Sequence, residues 1–126
     1  MIVLTLPLAP SVNALWRISG SRMYRTKQYK DWAEEAGWMI RQQTKETIEG
    51  PYALHIRALK TKKRRDLDNI LKATSDLLVE MKVVEDDSLC LALAAEWSTI
   101  GNEPMIVTLH AIGETNDDDT GNYDLQ

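Results

Sequence analysis

Two acidic motifs in the sequence could bind a metal ion. Asp66 and Asp68 are separated by one residue, and the pair Asp86-Asp87 follows further along the chain. Neighbouring carboxylates repel one another, so each motif needs basic residues or a cation close by. Magnesium takes oxygen ligands, keeps several waters, and is commonly held by one or two carboxylates together with substrate phosphates. Asp66, Asp68 and one acid of the second motif therefore form a candidate magnesium site, with manganese as the alternative ion.

A basic run directly precedes the first acidic pair. It consists of Lys62, Lys63, Arg64 and Arg65, and Arg57 and Lys60 lie just upstream. Such side chains contact nucleic-acid phosphates and would hold a polyanion beside the metal. A metal lowers the pKa of a bound water and neutralises charge on a phosphodiester. Lys72 would stabilise that charge or orient the attacking water. This is the charge pattern of a metal-dependent nuclease.

Each motif also has a structural interpretation that competes with the catalytic one. An Asp-x-Asp pair often supplies a helix cap and a solvated carboxylate, and Asp86-Asp87 fits an ordinary acidic turn. Asp76 follows Lys72 by four residues, and a surface ion pair explains it better than metal binding. For His55 and His110, both in predicted strands, a structural or surface role is favoured.

Hydrophobic spacing predicts the elements around these motifs. Residues 2–6 form a short apolar strand, and a helix begins after Thr26 as its N-cap and stops before Gly50-Pro51. A strand with one wetter face follows at 52–59. Apolar residues from Ile70 to Met81 recur at helical spacing, with Asp68 placed to cap that helix.

The remaining segments complete an α/β (α+β) fold. Leu89 to Trp97 and Met105 to Ala111 alternate as strands, and residues 101–104 read as a hairpin connection between them. Residues 11–27 read mostly as a loop, and Trp38 lies off the apolar stripe of its helix. The predicted order is β-α-β-α-β-β, a small mixed sheet with two helices.

The formal net charge of −4 is an average over unlike segments. The stretch from Glu114 to Gln126 has five acids and no base, which leaves 14 acidic and 15 basic residues in the first 113 positions. We expect residues 1–113 to form one domain and residues 114–126 a disordered acidic tail. A second acid-free basic cluster near the N-terminus is a further candidate DNA contact: Arg17, Arg22, Arg25 and Lys27.

Cysteine usage and hydropathy indicate the compartment. Cys90 is the single cysteine, which excludes an intramolecular disulfide, and it is predicted to be a small buried apolar residue. No secretory signal pattern or apolar run of membrane-spanning length is present. We therefore expect a cytoplasmic protein without a membrane partner.

At these motifs the sequence resembles the RusA family of Holliday junction resolvases. The resemblance rests on the block Arg64-Arg65-Asp66-Leu67-Asp68-Asn69, on Lys72 and Asp76, and on Glu85-Asp86-Asp87-Ser88. The segments Pro10-Ser11-Val12-Asn13 and Tyr24-Arg25-Thr26-Lys27 resemble the family more weakly. Leu89 departs from the Gln that is frequent there, and Ala9-Pro10 from the usual Pro-Pro pair.

The resemblance implies a magnesium-dependent homodimer that cuts two strands of a four-way DNA junction symmetrically, in a bacterial or phage-infected cell. It also implies that Asp66, Asp68 and Asp87 are the essential acids, supported by Asn69 and Lys72. Spacing alone does not choose between Asp86 and Asp87. Two other hypotheses stay open: a junction-binding protein without activity, and a nuclease that prefers flaps or forks.

Overall fold

The computed structural model describes residues 1–10, 16–19, 22–61 and 66–113, and between residues 16 and 25 it describes the backbone alone. Six strands, two helices and a short 3₁₀ turn are present in this part of the chain. In order they are β1 (Ile2–Leu6), β2 (Trp16–Ser19), β3 (Arg22–Arg25), α1 (Lys27–Gln43), β4 (Tyr52–Leu59), α2 (Leu67–Glu80), the 3₁₀ turn (Asp87–Leu89), β5 (Cys90–Ser98) and β6 (Met105–Ala111). The predicted mixed-sheet α+β class with two main helices is confirmed.

The main sheet has the strand order β1-β6-β4-β5. Strand β4 pairs parallel with β5, whereas β6 runs antiparallel to both β1 and β4. Parallel neighbours need a crossover, and α2 supplies it between β4 and β5. The helix therefore begins near the carboxyl ends of these two strands and returns to their amino ends. Near the helix end, Val84 bridges Ile48 and the Gly50 amide donates to Glu85, just before β4 begins.

Two predicted connections were wrong. Strands β5 and β6 do not form a hairpin, because they lie on opposite sides of β4. The connection arches over the end of β4 instead, where the Leu59 amide donates to the Pro104 carbonyl at 2.9 Å. Residues 16–25, expected as loop, contain the antiparallel pair β2 and β3. Trp, Ile and Tyr in this segment favour strands, but the basic residues between them obscured the pattern.

Both helices cover one face of the main sheet. The inward side chains of β1, β4 and β6 are almost fully buried against them, and Leu4, Leu54 and Val107 are typical. The opposite face carries half-buried or exposed side chains such as Val3, His55 and Thr108. The predicted alternation of β4, with one apolar and one wetter face, is confirmed.

Helix α1 begins as predicted but ends earlier. The Thr26 hydroxyl accepts from the Tyr29 amide at 3.2 Å, as expected of an N-cap. The helix ends at Gln43, seven residues before Gly50, and the Gln43 side chain turns to β1. Trp38 is 62% exposed beside a groove between α1 and the end of α2.

Among the residues with described positions, no helix is both long enough and apolar enough to cross a membrane.

Candidate active site

The first acidic pair lies at the beginning of α2. Asp66 is the N-cap residue, with extended backbone, and its carboxylate makes no capping hydrogen bond. Asp68 lies in the first helical turn, so its predicted role as the cap was wrong. The helix starts earlier because the Asp66 carbonyl already accepts from the Ile70 amide at 3.3 Å. Both carboxylates are exposed to solvent, and the helix dipole favours negative charge at this position.

Lys72 lies one turn further along the same face of α2. Its Nζ is 3.8 Å from Oδ2 of Asp76, which confirms the predicted surface ion pair. This separation exceeds a hydrogen bond, and the lysine side chain is 57% exposed. Asn69, in the first turn, is half-buried. The ammonium group thus lies within ion-pair distance of Asp76 while remaining accessible from solvent.

The second acidic motif forms a tight turn before β5, and its two acids are placed differently. Oδ2 of Asp86 accepts from the Ser88 amide at 2.9 Å and caps the 3₁₀ turn. Hydrogen bonds from Ser88 lower the pKa of the Asp86 carboxyl below its usual range. Asp87 is the first residue of the turn, and its exposed side chain lines, together with Asp86, a groove shared with Asp76 and Glu80 of α2.

A buried tyrosine lies beneath this turn. Tyr52 begins β4 opposite Cys90 of β5, and its hydroxyl has no hydrogen-bond partner in the part of the chain that the structure describes. Burial, with the nearby Cys90 and the carboxylates of Asp87 and Asp86, raises the pKa of Tyr52 to about 12. Cys90 itself is half-buried rather than buried. Tyr52 was not among the residues predicted for the site. Its only signal in the sequence is an aromatic side chain at the start of a strand.

The two acidic motifs lie at opposite ends of α2. The helix has 14 residues and spans about 21 Å at 1.5 Å per residue. Asp66 and Asp68 precede or begin it at the carboxyl ends of β4 and β5, whereas Asp87 follows it at their amino ends. Accordingly, the described residues contain no cluster of three Asp, Glu, His or Cys side chains placed to hold a metal. One chain brings together Asp66 and Asp68, but not Asp87.

The first pair nevertheless has the chemistry that magnesium requires. It offers carboxylate oxygens alone, both exposed, and Asp66 is not engaged in capping. Because magnesium retains waters and accepts substrate phosphates as ligands, two carboxylates are a sufficient protein contribution. The residues present at this end of α2 therefore fit the ion.

The predicted basic residues fall largely outside this description. Lys62, Lys63, Arg64 and Arg65 lie outside the described residues, and so does the acidic tail at 114–126. Of the N-terminal cluster, the backbone places Arg17 in β2 and Arg22 and Arg25 in β3. Lys27 is 87% exposed and forms an ion pair with Asp31 at 2.7 Å. Lys60, before the basic run, lies 4.9 Å from the ring centre of Trp97.

The histidines occupy the solvent-facing side of the sheet. His55 Nε2 lies 2.8 Å from Glu96 Oε2, and His110 is exposed near the end of β6. The predicted surface role agrees with their positions.

Comparison with known proteins identifies the class of enzyme. A family model described as "Endodeoxyribonuclease RusA" matches residues 6–108. The crossover junction endodeoxyribonuclease rusA of Enterobacteria phage HK97 is 36% identical over 85 residues, which cover 65% of this chain and 70% of the phage protein. The crossover junction endodeoxyribonuclease RusA of Aquifex aeolicus (strain VF5) is 28% identical over 82 residues, 64% of this chain and 65% of that protein.

These matches define an endodeoxyribonuclease, as the acidic and basic motifs predicted. The family model spans most of the chain and includes both acidic motifs. The chain belongs to the RusA family of endodeoxyribonucleases.

Proposed function

We propose that this endodeoxyribonuclease resolves four-way DNA junctions by paired, symmetric nicks and depends on magnesium, with manganese as an alternative. The observation that carries the proposal is the exposed Asp66–Asp68 pair at the start of α2, free of capping bonds. Similarity to two proteins named crossover junction endodeoxyribonucleases supports the choice of substrate.

The metal in this proposal is held by the three essential acids Asp66, Asp68 and Asp87. A bound magnesium ion supplies charge neutralisation and an acidified water. Lys72, oriented by Asp76, faces the scissile phosphate and stabilises charge that develops there. Asn69 is half-buried in the first turn of α2 and, in this proposal, holds the neighbouring Asp68 in position.

A homodimer accounts for the position of Asp87. Within one chain, Asp87 lies beside the later turns of α2, whereas the first pair lies at the start of that helix. A two-fold-related copy running in the opposite direction carries its own Asp87 toward the end of the sheet where Asp66 and Asp68 lie. The same symmetry sets two equivalent sites against the two strands of a junction that are cut.

Basic residues hold the DNA in this scheme. Lys62, Lys63, Arg64 and Arg65 precede the acidic pair, and Arg17, Arg22, Arg25 and Lys27 form the second contact. Phosphate contacts of this kind give affinity that falls steeply with salt concentration. Junction DNA of a bacterial or phage-infected cell is the expected substrate, which sets the protein in the cytoplasm.

The test uses a supercoiled plasmid with an extruded cruciform. Paired nicks within one binding event give linear product, whereas unpaired nicks give open circles. We expect linear product with magnesium, none with a chelator, and none from Asp66→Asn although that variant still shifts a labelled junction on a gel. Glu35→Gln, which replaces an exposed acid in the middle of the other helix, α1, is the matched control and should cut normally.

Other results would overturn the proposal. A gel shift without product under any metal would favour an architectural junction-binding protein. Faster cutting of a flap or fork than of the junction would make this chain a nuclease of different selectivity. Magnesium-dependent nicking retained by Asp66→Asn would remove that residue from the site.

A further inference from the structure

The two edge strands of the main sheet, β1 and β5, differ in how their free backbone groups are covered. At one edge, the Gln43 side chain at the end of α1 binds the backbone of β1. Its Nε2 donates to the Thr5 carbonyl and its Oε1 accepts from the Thr5 amide, both at 2.8 Å. These two bonds occupy backbone groups that another strand would need. Natural sheets commonly block their edges in such ways, since open edges recruit other strands.

Strand β5, at the other edge, has no comparable protection among the described residues. It is nine residues long and pairs with β4 alone. Leu91 is 65% and Leu93 55% exposed, and Ala92 and Ala94 are exposed as well. The sequence from Leu89 to Ala95 contains no charge, proline or glycine. A long, mostly apolar edge in which Glu96 is the single charged residue is a pairing surface that sequence selection usually removes.

We infer that the exposed edge of β5 pairs antiparallel with β5 of a second copy of this chain. Unpaired amide and carbonyl groups along an edge select an extended strand as occupant. Two identical strands satisfy each other about a two-fold axis, because antiparallel pairing is symmetric under that operation. On the helix-facing side of the sheet, Leu93 of each copy then packs against Leu93 of the other copy or against the neighbours of that residue. The inference deepens the proposed homodimer and rests on it for the number of copies.

The register of β5 limits the pairing to its later part. Opposite Tyr52 and Ala53, β5 advances from Cys90 to Ala92, so Leu91 is the extra residue of a bulge. A bulge disturbs regular hydrogen bonding locally. The self-paired segment therefore runs over residues 92–97, and the axis lies near the middle of that segment.

The blocked β1 edge explains why pairing would stop at two copies. A β5–β5 junction joins two four-stranded sheets into one of eight strands. Each outer edge of that sheet is a β1 strand whose Thr5 backbone is already occupied by Gln43. The product is a closed dimer rather than an open fibre.

The first experiment measures mass in solution for the full chain without DNA or metal. Sedimentation or light scattering should give twice the 14.3 kDa chain mass for the wild type. Leu93→Lys should raise the dimer dissociation constant at least about 100-fold, because it sets two cations at a symmetric apolar contact. Val3→Lys, at a 50% exposed apolar position on β1, is the matched control and should remain dimeric.

Folding of each variant is verified by its circular dichroism spectrum and melting temperature, since a misfolded chain would also change mass. A monomeric wild type at about 100 µM, or a dimer unaffected by Leu93→Lys in a folded variant, would overturn the inference. Equal weakening by Val3→Lys would move the interface to another surface.

The second experiment locates the axis by cross-linking. In a Cys90→Ala background, single cysteines are placed in turn at positions 92–96 and at Val3. A disulfide requires Cβ atoms about 3.5–4.5 Å apart, so one or two β5 positions should give a covalent dimer and Val3 none. No cross-link at any β5 position, or a ladder of higher species, would contradict the closed dimer.

Neither readout depends on catalysis, so the two proposals fail separately. A β5-linked dimer that cuts no junction would refute the proposed function and leave the interface intact. An active enzyme whose association ignores Leu93 would do the reverse.

Discussion

Asp86 and Asp87 are adjacent in sequence but have different partners. The Asp86 carboxylate accepts a hydrogen bond from the Ser88 amide, and its pKa is lowered first by the Ser88 side chain and then by that amide. Both acids line the groove beside α2, and it is Asp86 whose carboxylate caps the turn. At the residue scale the capping bond gives Asp86 a structural role in the turn, which supports the proposed choice of Asp87 as the third acid. Spacing alone did not allow that choice.

The first prediction compares isosteric changes at these two acids. Asp87→Asn should reduce junction cleavage about 100-fold or more, because a neutral amide replaces a carboxylate of the proposed magnesium site. Asp86→Asn should retain most activity, because an amide oxygen still accepts from Ser88. Cleavage rates at saturating magnesium, with melting temperatures as the folding control, test this. Equal losses from both variants would give Asp86 a direct part in the site.

The second prediction concerns Tyr52 at alkaline pH. Folding raises its pKa from 10.0 to about 12, chiefly through burial. Between those pH values the native state keeps a proton that the unfolded chain loses, so Tyr52 makes stability fall as pH rises. Tyr52→Phe removes this loss and also an unpaired buried hydroxyl.

The variant should therefore melt at least as high as wild type at pH 8 and gain on it progressively above pH 10. Melting curves from pH 8 to 12 measure the difference. Subtracting the wild-type melting temperature from that of the variant at each pH cancels the titration of the lysines and of the other tyrosines. A constant difference in melting temperature across that range would show that the pKa of Tyr52 does not change on folding.

At the scale of elements, the sequence pattern predicts local boundaries better than it predicts which strands are neighbours. The spacing of apolar residues predicted β4 with its correct bounds and Thr26 as the start of α1, since both depend on local periodicity. Strand neighbours were not predictable in this way. The sequence suggested a hairpin for β5 and β6, whereas the crossover through α2 sends them to opposite sides of β4.

The same limit applies to the site. The residues Asp66, Asp68, Lys72 and Asp87 could be nominated from charge and resemblance. The separation of the two acidic motifs within one chain could not be predicted, because it follows from the direction of α2 relative to β4. The helix cap was displaced from Asp68 to Asp66 because boundaries depend on the first helical hydrogen bond rather than on residue type.

At the scale of elements, the Gln43 side chain joins α1 to β1, and its removal is the third prediction. Gln43→Ala should lower the free energy of unfolding by about 1–2 kcal/mol, since two partly exposed hydrogen bonds are lost. Gln42→Ala, at an exposed position in the same turn, is the control and should change little. Urea unfolding monitored by tryptophan fluorescence provides the measurement.

The same variant tests the edge. With the Thr5 backbone uncovered, Gln43→Ala should also form species larger than a dimer at high concentration, because both edges of each sheet are then open. Unchanged stability and unchanged mass would show that Gln43 does not protect β1.

For the whole molecule, the separation of the acidic motifs makes the distribution of the site between chains testable. If Asp87 acts with the Asp66–Asp68 pair of the other copy, a mixed dimer of Asp66→Asn and Asp87→Asn chains contains one site with both substitutions and one intact site. Each variant alone forms only defective sites. The mixture should therefore regain activity that neither variant has.

Random exchange of equal amounts gives about half mixed dimers, and hence about a quarter of the intact sites of wild type. Because a mixed dimer has a single intact site, it should convert a cruciform plasmid to open circles rather than to linear product. A mixture of Asp66→Asn and Asp68→Asn is the matched control, since these residues lie at the same end of α2 and no combination restores a site. Activity in the control, or none in the test mixture despite demonstrated subunit exchange, would return Asp87 to its own chain.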